Sequence, residues 1–124
     1  MQLAYTILYV DSVAASLAFY EQAYGLRTRF LHESGDYGEL DTGSTTLSFS
    51  SRALMTQLGK HPSRADAHAP SFEIAFTTTD VPAAVAKAVA AGAELIQPPQ
   101  DMPWGQTVAY RDGCLVELCT PVGG

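Results

Sequence analysis

Residues 5–26 read Tyr5-Thr-Ile-Leu-Tyr-Val-Asp-Ser-Val-Ala-Ala-Ser-Leu-Ala-Phe-Tyr-Glu-Gln-Ala-Tyr-Gly-Leu26, and this stretch decides the fold. Its β-branched and aromatic start predicts a strand over 3–10. Ser12, just after Asp11, is placed to cap a helix in which Val13, Leu17, Tyr20 and Tyr24 recur at helical spacing and Gly25 is the stop. Phe19 and Tyr20 read as core, since Tyr20 continues the Val13–Leu17 stripe. Three short β candidates follow at 27–33, 36–41 and 45–50, with turns at Gly35-Asp36 and Thr42-Gly43-Ser44.

From Ser71 the same order returns. A strand over 71–77 leads to Asp80 as a cap, then to a helix with Val81, Val85 and Val89 on one face and Gly92 as its stop. A short β stretch near 94–97 and a closing hairpin complete the second round. Identity between the halves is slight, so the repeated order of strand, cap, helix and glycine carries the inference. A single α+β sandwich with accidental similarity is the alternative. Residues 51–70 lack a clear β pattern and hold two prolines, His61, His68 and three of the seven basic residues. A short helix around Ala53–Leu58 fits there; the rest reads as a linker with solvent-exposed histidines, one that lets two halves pair within a chain or exchange between chains.

Composition sets the bounds on function. A chain of 124 residues suits one domain with its own core. The net charge of -6 argues against a nucleic-acid partner, which needs clustered Lys and Arg. It is compatible with a cationic or neutral ligand. No basic leader precedes the first strand, so no signal peptide is expected. The apolar stretch around Val85 and Val89 is too short to span a membrane. Cys114 and Cys119 lie five apart on one hairpin arm and point to opposite faces, which argues against a disulfide and for a cytoplasmic setting.

The chemically loaded residue is Glu117. In Leu115-Val-Glu-Leu-Cys119, period-two alternation puts Leu115, Glu117 and Cys119 on one face and Val116 and Leu118 on the other. A carboxylate in a strand that reads as core is costly unless it faces water or binds something.

The order β-α-β-β-β, twice over, resembles the vicinal oxygen chelate superfamily of glyoxalase I, bleomycin-resistance proteins, fosfomycin-resistance enzymes and extradiol dioxygenases. The segments that carry the resemblance are 5–26, 72–93 and 103–121. The family's usual Asp-Pro-Asp-Gly turn before the last strand is shortened here to Arg111-Asp112-Gly113. The resemblance implies an α+β fold of two βαβββ modules forming curled mixed sheets with a concave cavity: one domain over 1–124, with module one at about 1–50, a linker at about 51–70 and module two at about 71–124. In metal-using members the ligands come from strands one, four, five and eight. Carried over, those positions hold Tyr5, Ser48 (with Thr46 as the alternative), Glu73 and Glu117. Only the last matches the family's metal-binding pattern. A phenol, a hydroxyl and two carboxylates are a poor offer to zinc, nickel or iron. No metal or other cofactor is therefore expected; if a divalent ion binds at all, its place is Glu73 and Glu117.

Without a metal the same positions describe a small-molecule pocket. Tyr5, Ile7, Ser48, Glu73, Ala75, Leu115, Glu117 and Cys119 fall on the concave face by alternation. Trp104 and Met102 come from the loop before strand seven, where Trp104 either meets the ligand or caps the sheet edge. Aromatic rings with two acids suit an aromatic or cationic ligand. The resemblance thus implies a homodimeric, non-catalytic protein of the bleomycin-resistance type that sequesters an antibiotic-like molecule. Its partners are a small molecule and a second copy of itself, with no nucleic acid and no membrane. The alternative is a metal-dependent lyase, isomerase or dioxygenase of glyoxalase type with Glu117 as ligand or base.

Overall fold

In the computed structural model, which describes residues 1–96 and 105–121, strand β1 (Tyr5–Val10) passes through Asp11 and Ser12 into helix α1 (Val13–Tyr24). Ser12 Oγ accepts from the Ala15 amide at 3.1 Å, and Gly25 closes the helix at φ +70° with its own amide on the Glu21 carbonyl. Both ends therefore terminate as the sequence requires. Strands β2 (Arg27–Leu31), β3 (Tyr37–Asp41) and β4 (Thr46–Ser51) follow, then the short α2 (Arg52–Gln57). The second round is β5 (Ile74–Thr77), α3 (Val81–Ala90), β6 (Glu94–Leu95), β7 (Gly105–Ala109) and β8 (Leu115–Cys119). Asp80 caps α3 through a 3.0 Å bond from the Ala83 amide.

The chain divides into two compact units, Met1–Arg64 and Ala65–Gly124. In the first, the strands lie in the order β1-β4-β3-β2, with β1 parallel to β4 and the other neighbours antiparallel. In the second, the order is β5-β8-β7-β6, with β5 parallel to β8. The fold is thus α+β, with the same βαβββ topology in both units. The repeat is real at the level of topology although little sequence is shared. The division at Arg64 falls inside the segment read as a linker, which also contains α2. His61 and His68 are exposed.

Each sheet packs one face on its helix. In the first unit Leu8, Val10, Leu40, Leu47 and Phe49 are buried there, together with Val13, Leu17 and Tyr20 of α1. The rings of Phe19, Tyr20, Tyr24 and Phe49 meet edge to face, with Tyr20 and Phe49 centroids 5.0 Å apart. In the second unit Val108, Val116 and Leu118 are buried, as are Val81, Val85 and Ala88 of α3.

Four expectations shift. β1 starts at Tyr5 because its partner β4 starts at Thr46, just after the 42–45 turn. The second-unit strand starts at Ile74, which leaves Glu73 exposed just before it. Val89 is 44 % exposed while Ala88 is wholly buried, so the buried stripe of α3 runs through 81, 85 and 88. Finally, the strand expected over 27–33 ends at Leu31, and it pairs with β3 through a bulge between Thr28 and Phe30. Among the described residues no helix is long and apolar enough to cross a membrane.

Candidate functional site

The candidate chemistry sits on the sheet faces turned away from α1 and α3. On the far face of the second unit, Glu117 lies between Ala75 of β5 and Thr107 of β7. One step along, Cys119 pairs with Gly105. Gly105 is where the backbone makes room: a Cβ there would stand 2.6 Å from Glu117 Oε1 and 3.0 Å from Cys119 Cβ. The glycine is therefore a notch in β7 over which the Glu117 carboxylate rests. Glu117 is half-buried, and among the described residues it has no hydrogen-bond or ion-pair partner; the same holds for the exposed Glu73. Burial pushes the Cys119 thiol above its usual range, and the charges of Glu117 and Glu73 push it further. Both acids thus act on one buried thiol, which keeps it protonated and unreactive near neutral pH. Cys114 is also buried and in no disulfide.

The first unit builds a different far face. Tyr5 and Ile7 of β1 stand beside Thr46 and Ser48 of β4, and Ser48 stands beside Glu39 of β3. Ser48 is completely buried, whereas Tyr5 and Ile7 are 54 % and 46 % exposed. The Tyr37 hydroxyl donates to Glu39 Oε2 at 2.8 Å. Burial raises the Tyr37 pKa; its bond with Ser48 works against that shift, while Glu39 and the nearby Tyr5 add to it. Arg29 donates to Thr46 Oγ1 at 3.0 Å and to Asp41 Oδ1 at 3.2 Å, and its guanidinium lies 3.9 Å from Glu39 Oε1.

Of the residues singled out from sequence, Tyr5, Ile7 and Ser48 share the far face of the first sheet. Glu117 and Cys119 share that of the second, with Glu73 within electrostatic reach of Cys119. Met102 and Trp104 lie outside the described residues. Sequence reasoning missed Arg29, Tyr37, Glu39 and Gly105. The alternation Tyr37-Gly-Glu39 was legible and would have put both side chains on one face. Arg29 was not, because the partners that give it a role, Thr46, Asp41 and Glu39, come from other strands.

The registers of the two units also locate a displaced acid. Ile7 pairs with Ser48, which pairs with Glu39; at the matching places Ala75 pairs with Glu117, which pairs with Thr107. Each sheet therefore carries one carboxylate opposite one hydroxyl, with the strands exchanged. The acid that β4 lacks at Ser48 stands one strand over, at Glu39.

Two βαβββ units with mixed sheets in identical strand order define a protein of the tandem-module α+β class. The family model described as Glyoxalase/Bleomycin resistance protein/Dioxygenase superfamily matches residues 2–118, and the chain belongs to that superfamily. Among solved structures it is similar to a glyoxalase-related enzyme from Fulvimarina pelagi, at 22% identity and a TM-score of 0.82, covering 98% of this chain and 88% of that one. It is also similar to a glyoxalase/bleomycin resistance protein/dioxygenase family enzyme from Burkholderia phytofirmans PsJN, at 22% identity and a TM-score of 0.78, covering 97% and 98%. A third is a glyoxalase/bleomycin resistance protein/dioxygenase from Nocardioides, at 18% identity and a TM-score of 0.72, covering 100% and 86%. These likenesses are of fold. No curated protein matches the sequence.

The donor set can be weighed against a metal. Tyr5 and Ser48 of the first unit offer a phenol and a hydroxyl, and Glu73 and Glu117 of the second offer two carboxylates. Among the described residues no three His, Cys, Asp or Glu side chains gather into a group that holds a metal ion. A transition-metal centre does not fit these residues, since it needs about three protein ligands with imidazole or thiolate commonly among them.

Proposed function

We propose that the protein is a non-catalytic binder of the bleomycin-resistance type, which sequesters an aromatic or cationic, antibiotic-like small molecule. The reading includes a cytoplasmic homodimer, on the strength of two cysteines that form no disulfide and of the general frequency of two-fold pairs. The observation that carries it is the state of Glu117. A half-buried carboxylate rests over the Gly105 notch with no donor or cation on it among the described residues. Such a group lacks the hydrogen bonds its desolvation calls for, and an incoming ammonium or guanidinium supplies them. A hydrogen bond to a charged partner is worth roughly 1.5–3 kcal/mol, enough to set preference for a cation over a neutral analogue. The protonated Cys119 beside it adds no competing negative charge.

The test is a titration with bleomycin and other cationic, DNA-damaging antibiotics, read by the fluorescence of Trp104, the only tryptophan. Saturation near one equivalent per chain is expected for at least one of them, with affinity at least tenfold weaker in Glu117→Gln. A flat response across the panel overturns the reading. So does a stoichiometric transition metal in protein purified without chelator, if Glu117→Ala loses it; that result selects the metal-dependent glyoxalase-type alternative.

A further inference from the structure

The segment that joins the two units is held in an uneven way. Residues 61–64 belong to no helix or strand, and among the described residues no backbone hydrogen bond holds any of them. On either side the chain is tied down. The Lys60 amide donates to the Met55 carbonyl at 3.0 Å, at the end of α2. Beyond the division at Arg64, Ala65 lies so close to the β7–β8 turn that a Cβ on Gly113 would run into its carbonyl oxygen. Ala67 is buried, and the Ala69 amide donates to the Asp66 carbonyl at 3.0 Å. Between these ties, one polar contact remains among the described residues: Arg64 donates from Nη1 to Asp11 Oδ2 at 2.5 Å.

The two partners of that contact are not alike. Asp11 is fixed from behind. Arg52 donates from Nε to Asp11 Oδ1 at 3.0 Å, with Nη2 2.7 Å from the same oxygen, and its Nη1 donates to the Tyr9 carbonyl at 2.9 Å. The Arg52 side chain is only 12 % exposed, so this half of the cluster is shielded from solvent. Arg64 and Asp11 are 71 % and 61 % exposed, so the other half stands in water, where salt screens it. The Arg64 guanidinium first, and Arg52 after it, hold the Asp11 carboxyl below the usual carboxylate range. Asp11 is thus a charged, anchored catch, and Arg64 is the part that can leave it.

We propose that Asp11 and Arg64 form an ionic clasp that controls the connection between the two units and opens with rising ionic strength. Closed, it pins the connection at its division, so that ties run up to Lys60 on one side, through Arg64, and on from Ala65. Open, it releases residues 61–64, four residues whose extended reach is about 14 Å. A segment without backbone hydrogen bonds opens at little cost, so the one side-chain contact sets how often it does. The clasp lies within the first unit and does not depend on Glu117.

Limited trypsin digestion of the full chain reads the clasp at the Lys60–His61 bond, which every variant below keeps. The contact of Lys60 with the Tyr9 hydroxyl is common to all of them. Wild type is expected to be cut there slowly in about 20 mM NaCl and roughly tenfold faster in about 0.5 M, because cleavage follows the open population. Arg64→Gln and Asp11→Asn remove the clasp from its two sides, and each is expected to be cut fast at both salt concentrations. Asp11 also meets Arg52, so Arg64→Gln tests the clasp alone; amide spectra confirm that each variant is folded. Arg64→Lys is expected to restore protection that salt removes. A chromogenic peptide in the same buffers corrects for trypsin's own response to salt. Amide heteronuclear NOEs of His61, Ser63 and Arg64 in wild type are expected to fall in high salt. Folded Arg64→Gln cut no faster than wild type at low salt overturns the proposal, as does wild-type cleavage that salt leaves unchanged.

Discussion

The two units share a topology and differ in what fills it. The helix-facing side of the first is an aromatic cluster of Phe19, Tyr20, Tyr24 and Phe49; that of the second is built from Val81, Val85, Ala88, Val108 and Val116 with Leu118. The far faces diverge as well: one holds an acid already engaged by a phenol with a guanidinium beside it, the other two acids with no cation on them among the described residues. Strand order is therefore indifferent to both core volume and site charge. What it fixes is the cross-strand pairing, and each sheet uses that pairing to place one carboxylate against one hydroxyl.

The core difference can be broken directly. Phe49→Ala removes a fully buried ring and should cost about 3–5 kcal/mol. Val116→Ala, equally buried in the second unit, should cost roughly 2 kcal/mol, because only two methyl groups are lost. Urea unfolding of the two variants reads both values. Equal losses would mean that the ring cluster is no more tightly packed than the valine core.

Two glycines sharpen the contrast, both in the third strand of their sheets. A Cβ on Gly38 would stand 2.7 Å from Leu17 Cδ1 and 3.0 Å from Val13 Cγ1, side chains buried in the core with nowhere to go. Gly38→Ala should cost about 1–3 kcal/mol through overpacking. On Gly105 the nearest atom is the end of Glu117, a half-exposed side chain that can swing away. Gly105→Ala is expected to lose less stability than Gly38→Ala but to weaken binding of a cationic antibiotic at least as much as Glu117→Gln does. A Gly105→Ala protein with intact binding would remove the notch from the argument.

The smallest effect is in titration. Cys119 has its pKa raised in the folded state, by burial first and by Glu117 and Glu73 after it. Its contribution to stability is whole below the thiol's unfolded pKa and is lost as pH rises through the folded one, so the loss falls on the alkaline side. In a Cys114→Ser background, Glu117→Gln should move the onset of Cys119 alkylation to lower pH. An unchanged onset would place Glu117 farther from the thiol than its position over Gly105 implies.

Much of this was legible in the sequence. Ser12, Gly25 and Asp80 stand at helix ends as read, and alternation in 115–119 put Glu117 and Cys119 on one face. Those signals are local, set by neighbours within a few residues, and a sequence carries them openly. What escaped depends on partners distant in the chain. Val89 fits the period of α3 as well as Ala88 does, and only packing of the helix on its sheet decides between them. The role of Gly105 exists only because Glu117 comes to lie over it from the next strand. Glu39 lies on the third strand, and only the register shows that it stands beside Ser48.

The bulge at Arg29 carries a consequence of another kind. A regular strand offers a face every second residue, so a substitution in it changes one contact and leaves its neighbours in phase. Here two consecutive side chains, Arg29 and Phe30, serve the same face because one residue is left over in the pairing. That makes the count of residues between Thr28 and Leu31 matter more than their identity. A swap of Phe30 for another ring is a local edit, whereas loss of Arg29 closes the bulge into a regular ladder, with Thr28 still opposite Leu40 and Phe30 still opposite Glu39, and takes the guanidinium away from Glu39.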